Sequence, residues 1–256
     1  MIHETAIVSE NADIAEGVSI GPYSIIGPDV SIGSETIIES HVVITGRTTI
    51  GKQNHFYPFS TIGESPQDMK YKGEDTELEI GDRNTIRESC TINKGTVQDT
   101  SVTRLGNDNW IMAYVHIAHD CQIGNNTVFA NNTTLGGHIE VGDYAIFGGF
   151  SGAHQFCKIG SHSFLGIYAG VAKDLPPYVI VTGQPAVPRG INIEGLKRRG
   201  FTTEQIRNIK NAYKLLYNSD LRLEEAQEKI SALDEVSNEL QVMLEFIQAS
   251  TRGIIR

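Results

Sequence analysis

The sequence predicts a mainly β protein: a parallel β-helix shaped as a triangular prism over residues 1–190, followed by a small α-helical C-terminal domain over residues 191–256. Three observations predict it. An apolar residue recurs every six positions through the first two thirds of the chain. A small residue stands four positions after most of these. Beyond residue 190 the beat becomes helical.

The six-residue beat begins at Ile2 and runs through Val8, Ile14, Ile20, Ile26, Ile32, Ile38, Ile44, Ile50, Phe56 and Ile62. It resumes in register at Ile80, Ile86 and Ile92, slips by one residue, and continues from Leu105 through Ile111, Ile117, Ile123, Phe129 and Leu135 to Val171. Of 26 such positions, 22 are Ile, Val or Leu, which is too regular for a chance pattern. A helix repeats every ~3.6 residues and a strand every ~2, so neither alone explains a period of six. One large and one small inward residue per six, with a turn between, describes one flat face of a prism. Three faces make a coil of 18 residues. Stacked about 4.8 Å apart, each coil covers the backbone groups of its neighbour. Cys90, Cys121 and Cys157 all fall on the small inward position, which makes them core filler.

Two segments interrupt the beat: residues 63–79, GESPQDMKYKGEDTELE, and residues 93–104, NKGTVQDTSVTR. Loops that break a rigid solenoid are places for ligand contacts. The run Pro176, Pro177, Pro185, Pro188 marks the domain boundary. After it, Thr202 and Gln205 have the spacing of a capping box. Ile206, Ile209, Tyr213 and Leu216 then form a helical stripe. Further helices are expected from near Arg222 and from near Ser237. Such a domain would also stop the solenoid from stacking end to end.

The net charge of −10 argues against nucleic-acid binding, which wants a basic surface. All of that charge lies in residues 1–190, while residues 191–256 are balanced. No stretch approaches the ~20 apolar residues of a membrane span. Met1–Asp13 has no basic segment of the kind that opens a signal peptide, and three cysteines cannot all pair. A reducing, cytoplasmic location is expected.

Five of the eight histidines lie between residues 116 and 162. In an 18-residue coil, His119, Gly137 and Gln155 stand in one column. An imidazole beside an unobstructed glycine N–H suits acyl transfer to a hydroxyl. The ring removes the hydroxyl proton and the N–H steadies the oxyanion. A zinc site is the alternative. On extended chain, however, His116 and His119 point to opposite faces, which counts against a metal unless a corner intervenes. Lys197, Arg198 and Arg199 are the densest basic run, attractive to a diphosphate or an acidic carrier protein.

The strings GESPQDMKYKGE, IGDRNTIRE, HIAHDCQIGN, GAHQF and NIEGLKRRGF resemble the UDP-N-acetylglucosamine O-acyltransferase family over essentially the whole chain. The resemblance implies a left-handed coil and a homotrimer with sites between subunits. It implies transfer of an (R)-3-hydroxyacyl group from acyl carrier protein to the 3-hydroxyl of UDP-N-acetylglucosamine, the first step of lipid A synthesis. No resident cofactor or metal is implied, since the donor is the carrier protein's phosphopantetheine thioester. By resemblance His119 is the general base, Asp120 supports it and Gly137 supplies the oxyanion N–H. Gln67, Asp68 and Lys70 face the sugar and diphosphate. His116, His138 and Gln155 line the cleft, and Asn192, Glu194, Arg198 and Arg199 hold the nucleotide. Ile167 stands where the family measures the acyl chain, and its bulk predicts a preference for about ten to twelve carbons. Asn93 and Lys94 depart from the family's pattern, TINKGT standing where TIHRGT is familiar. The rival readings are another acyltransferase of this repeat class, using acetyl-CoA or an amine acceptor, and a zinc carbonic anhydrase.

Overall fold

The structure is a computed structural model that describes residues 1–233 and 237–256. Short parallel strands wind into three sheets of nine, eight and ten strands, visited in that order on each turn of the coil. They form the three faces of the predicted prism. Strands pair with partners 18 residues ahead, such as Ile7 with Ile25 and Val128 with Ile146. The beat positions point inward. From Ile20 to Val171 they form one continuous buried column, with Phe129 and Phe147 stacked 4.5 Å apart. Val8 and Ile14, on the first coil, are only half-covered because no coil lies beneath them.

Both interruptions are insertions into this coil, and their lengths explain the register. Ile50 pairs with Ile80, so the first insertion lengthens the turn from 18 residues to 30 and preserves a six-residue phase. Ile80 pairs with Leu105, so the second makes a turn of 25 and shifts the phase by one.

Most turns at the prism edges are tight, with an outer residue in the left-handed region near φ +60°. The three edges differ in chemistry. The edge between the ten- and nine-strand faces carries Tyr23, His41, Phe59, Tyr114, Phe150 and Tyr168, most of them exposed. The edge between the nine- and eight-strand faces carries Asp120, His138 and Phe156. The third carries Arg83, Asp108, Tyr144, His162 and Tyr178.

The last coil continues into an antiparallel hairpin, Val179–Thr182 with Val187–Ile191. Four helices follow: α1 (Ile193–Arg198), α2 (Thr203–Tyr217), α3 (Leu223–Ser231) and α4 (Asn238–Gln248). The capping box of Thr202 and Gln205 opens α2, and α3 and α4 begin after Arg222 and Ser237. The short α1 has no apolar stripe to announce it; Asn192 starts it by accepting from Gly195 N. Apolar faces of α2, α3 and α4 bury Ile209, Leu216, Ala226, Ile230, Leu240 and Met243 in a second core that includes Tyr178 and Ile191. The chain end returns to the solenoid, where Ile255 N donates to Asp174 O.

Candidate active site

His119 and Asp120 occupy the turn between strands His116–Ile117 and Gln122–Ile123. Neighbours on a strand point apart, but the left-handed turn at Asp120, φ 60°, brings its carboxylate back beneath the ring. His119 Nδ1 lies 2.8 Å from Asp120 Oδ2. The carboxylate is buried and also accepts from Thr96 N at 3.0 Å and Thr96 Oγ1 at 2.6 Å. Burial alone would raise its pKa, but the hydrogen bonds from His119 and Thr96 together hold it below the usual carboxylate range. A charged acceptor at Nδ1 keeps the imidazole proton there and leaves Nε2 free.

That ring lies over Gly137, one coil on. A Cβ at 137 would stand 2.5 Å from His119 Cε1 and 2.7 Å from Nε2, so only glycine admits the imidazole. Among the described residues the Gly137 N–H donates to no group. The predicted pairing of His119 with Gly137 is therefore present. Gln155 sits on the next level with its backbone N over Gly136, and its side chain is exposed. His138, beside Gly137, is stacked on Phe156 at 4.4 Å and meets His119 edge-on at 4.9 Å.

His116 turns elsewhere. It faces outward on the nine-strand face, with Nδ1 2.7 Å from Thr91 Oγ1, and burial, then the charge of His119, lowers its pKa. A corner does intervene between His116 and His119, but the His116 ring bonds Thr91 and does not join a set of ligand atoms. Ligand-type atoms instead converge at His119, Asp120 and His138, within 4.8 Å of one another. There the Asp120 oxygens already accept protein donors, so the set is a hydrogen-bonded acid–base group.

Both insertions reach this edge. Asp68 accepts from Lys70 N at 3.0 Å and from Gln98 Nε2 at 3.1 Å. The backbone bond leads in lowering its pKa, and the charge of nearby His119 adds to this. Gln67 and Lys70 are exposed beside it. The departure at Asn93 is structural: its buried amide donates to Ser65 O and Glu64 O and stitches the roots of the two insertions together. Thr96, Gln98 and Asp99 were not singled out from the sequence. Their partners lie 24, 30 and 39 residues away, and no local pattern announces them.

The NIEGLKRRG segment lies at another edge of the same prism. Asn192 spends its amide on Gly195 N and, through Nδ2, on His162 O. Glu194 pairs with Lys197, and Arg198 is exposed. Arg199 lies 4.8 Å over the Tyr144 ring and bonds Gly195 O. Burial, with Arg199 close by, pushes the His162 imidazole down to about 4. Ile167 is exposed on the aromatic edge. An open groove of about 620 Å³ runs over stacked Gly152 and Gly170 on the nine-strand face; the neighbouring Tyr168 lines it and Ile167 does not.

A carboxylate-held imidazole over a bare main-chain amide, on a solenoid of six-residue repeats, defines an acyltransferase of the hexapeptide-repeat class. Comparison with known proteins agrees. The family described as bacterial transferase hexapeptide (six repeats) matches residues 11–46 and 103–137, and UDP N-acetylglucosamine O-acyltransferase, domain 2, matches residues 174–255. The chain is 53% identical over 259 residues to the acyl-[acyl-carrier-protein]–UDP-N-acetylglucosamine O-acyltransferase of Verminephrobacter eiseniae, covering 100% of this chain and 99% of that protein. It is 57% identical over 204 residues to the enzyme of that name from Thiobacillus denitrificans, covering 80% and 79%. The crystal structure of the Francisella novicida UDP-N-acetylglucosamine acyltransferase superimposes with a TM-score of 0.97 at 45% identity, covering 100% of this chain and 94% of that one. The chain belongs to the UDP-N-acetylglucosamine O-acyltransferase family.

Proposed function

We propose that the protein transfers a hydroxyacyl chain from acyl carrier protein to the 3-hydroxyl of UDP-N-acetylglucosamine, opening lipid A synthesis in the cytoplasm. The observation that carries this reading is the free Nε2 of His119, backed by Asp120 and set against the Gly137 amide. His119 Nε2 takes the hydroxyl proton while the sugar oxygen bonds to the thioester carbonyl carbon. Asp120 stabilises the imidazolium, and the Gly137 N–H donates to the oxyanion. Collapse breaks the carbon–sulfur bond, and the imidazolium returns its proton to the departing phosphopantetheine thiolate. No metal or resident cofactor is required.

Gln67, Asp68 and Lys70 contact the sugar and diphosphate, His116, His138 and Gln155 line the cleft, and Asn192, Glu194, Arg198 and Arg199 hold the nucleotide. These groups stand at different edges of one prism, so one substrate touching both bridges two copies of the chain. That supports a homotrimer with sites between subunits. Exposed Tyr23, Phe59, Tyr114, Phe150 and Tyr168 share one edge, interrupted by His41, Ser89 and Asn132, and offer a neighbour aromatic surface to cover.

No helix among the described residues is long and apolar enough to cross a membrane. The test is a transfer assay with UDP-N-acetylglucosamine and a panel of hydroxyacyl carrier proteins. His119→Ala is expected to abolish turnover in a folded trimer. Near-normal turnover by that variant removes the base assignment, and acetyl-CoA as the preferred donor removes the substrate assignment.

A further inference from the structure

Asp99, in the second insertion, accepts from His138 Nδ1 at 2.9 Å across 39 residues of sequence. The His138 side chain is only 8% exposed, while Asp99 is 45% exposed. A second carboxylate is within sight of the same nitrogen: Asp120 Oδ2, at 3.8 Å. That distance is too long for a hydrogen bond, and the Asp120 oxygens already accept from His119 and Thr96. Asp99 thus accepts the His138 Nδ1–H hydrogen bond and keeps it from Asp120.

The insertion that carries Asp99 is pinned at two points just before it. Thr96 is tied to Asp120, and Gln98 donates to Asp68. With Phe156 against its face, the His138 ring has its orientation fixed and its Nε2 as the free polar atom.

We propose that Asp99 is a positioning residue which holds His138 off Asp120, so that Asp120 serves His119 alone. This deepens the reading above and rests on it for its kinetic arm. Without Asp99, His138 Nδ1 is less than 1 Å beyond bonding range of Asp120 Oδ2 and competes with His119 for it. The competition pulls the base from its place over Gly137, and it operates only through His138.

Two measurements on the full-length protein test this. The first is steady-state kinetics of Asp99→Ala, Asp99→Asn, His138→Ala and the Asp99→Ala/His138→Ala double variant. Asp99→Ala is expected to lower kcat about tenfold at an unchanged melting temperature, as a displaced base does. Asp99→Asn keeps an oxygen for Nδ1–H and returns to within about threefold of wild type, since the hydrogen bond rather than the charge sets the ring. In the His138→Ala background, Asp99→Ala costs nothing more. An unchanged kcat, an equal loss with His138 absent, or an asparagine variant as slow as alanine each overturns the proposal.

The second measurement needs no turnover. Nitrogen-15 spectra of the imidazoles are expected to show His138 as the Nδ1–H tautomer, and this signature is lost in Asp99→Ala. An Nε2–H ring in the wild type, or spectra indifferent to Asp99, overturns the proposal whatever the substrates prove to be. Absence of transfer activity with sound spectra would instead sink only the substrate reading.

Discussion

Replacing Gly137 by alanine tests the geometry of the base most directly. The new methyl group stands 2.5 Å from His119 Cε1 and 2.7 Å from Nε2. Carbon atoms pack at about 3.5–4.0 Å, so the ring must retreat by roughly 1 Å. The 2.8 Å bond from Nδ1 to Asp120 cannot follow, because that carboxylate is fixed by Thr96. A misplacement of ~1 Å costs about a hundredfold in rate, so kcat is expected to fall by about that factor. KM should change little, since the lost contact belongs to the transition state. The ring is near the surface, so the melting temperature should move by only about one or two degrees. The alanine keeps its N–H, which separates ring displacement from loss of the oxyanion donor. The assay is steady-state transfer, with His119→Ala as reference and the double variant expected to equal it. A kcat within threefold of wild type, or a double variant much slower than His119→Ala, would refute the reasoning.

Other consequences can be checked in the same preparations. Asn84→Leu removes the amide that joins Asn54 Oδ1, Gly106 O and Asn109 N inside the prism. Unpaired buried polar groups cost about 1–3 kcal/mol each, so the loss should be about 2–4 kcal/mol in denaturant unfolding; a shift under 0.5 kcal/mol would remove the ladder's role. Ile167→Gly should lengthen the preferred acyl chain by about two to four carbons, read with a carrier-protein series; an unchanged optimum ends the ruler assignment. The depressed pKa of folded Asp120 adds stability above its unfolded value, about 3.9, which is lost as the pH falls through the lower folded value. Asp120→Asn should lose that part of the acid slope, and an identical slope below about pH 4 would show that the carboxylate is not stabilised as described.

The solenoid was legible because its core is one-dimensional. Each inward side chain meets only the levels above and below, so a period in sequence becomes a column in space. Ile38, Phe56, Ile86 and Ile111 could be assigned to the interior without knowing any other contact. The cysteines were legible for the same reason. All three are buried and unpaired, and burial pushes the Cys90 thiol up to about 11. The stacking of His119 on Gly137 follows from coil length alone. The support from Asp120 did not, because a strand would send neighbouring side chains apart and only the left-handed corner reverses that. The path of the second insertion was invisible: Thr96, Gln98 and Asp99 look like ordinary loop residues until folding brings them to the edge. The eight residues from Asn192 to Arg199 include an unannounced helix, and Asn192, just before it, is committed to capping it.

A solenoid of equal repeats gives every level of an edge the same surroundings. Asp120, His138 and Phe156 occupy equivalent corners, yet only the first holds a base's carboxylate. Something outside the repeat must make that level different. The second insertion does so, and not through its length, which is not a multiple of six. Had it preserved the phase, as the first insertion does, its ends would still have rejoined the coil, so the slip is not required for closure. What the insertion supplies is a run of donors and acceptors that the repeat lacks: Thr96 for Asp120, Gln98 for Asp68 and Asp99 for His138. The regular coil sets the spacing between levels, and the irregular loop gives Asp120, Asp68 and His138 the partners that the repeat lacks. Chemistry in this fold is therefore expected where the period fails, and substitutions in residues 93–104 should alter turnover more than equally exposed substitutions in the uninterrupted coils before residue 62.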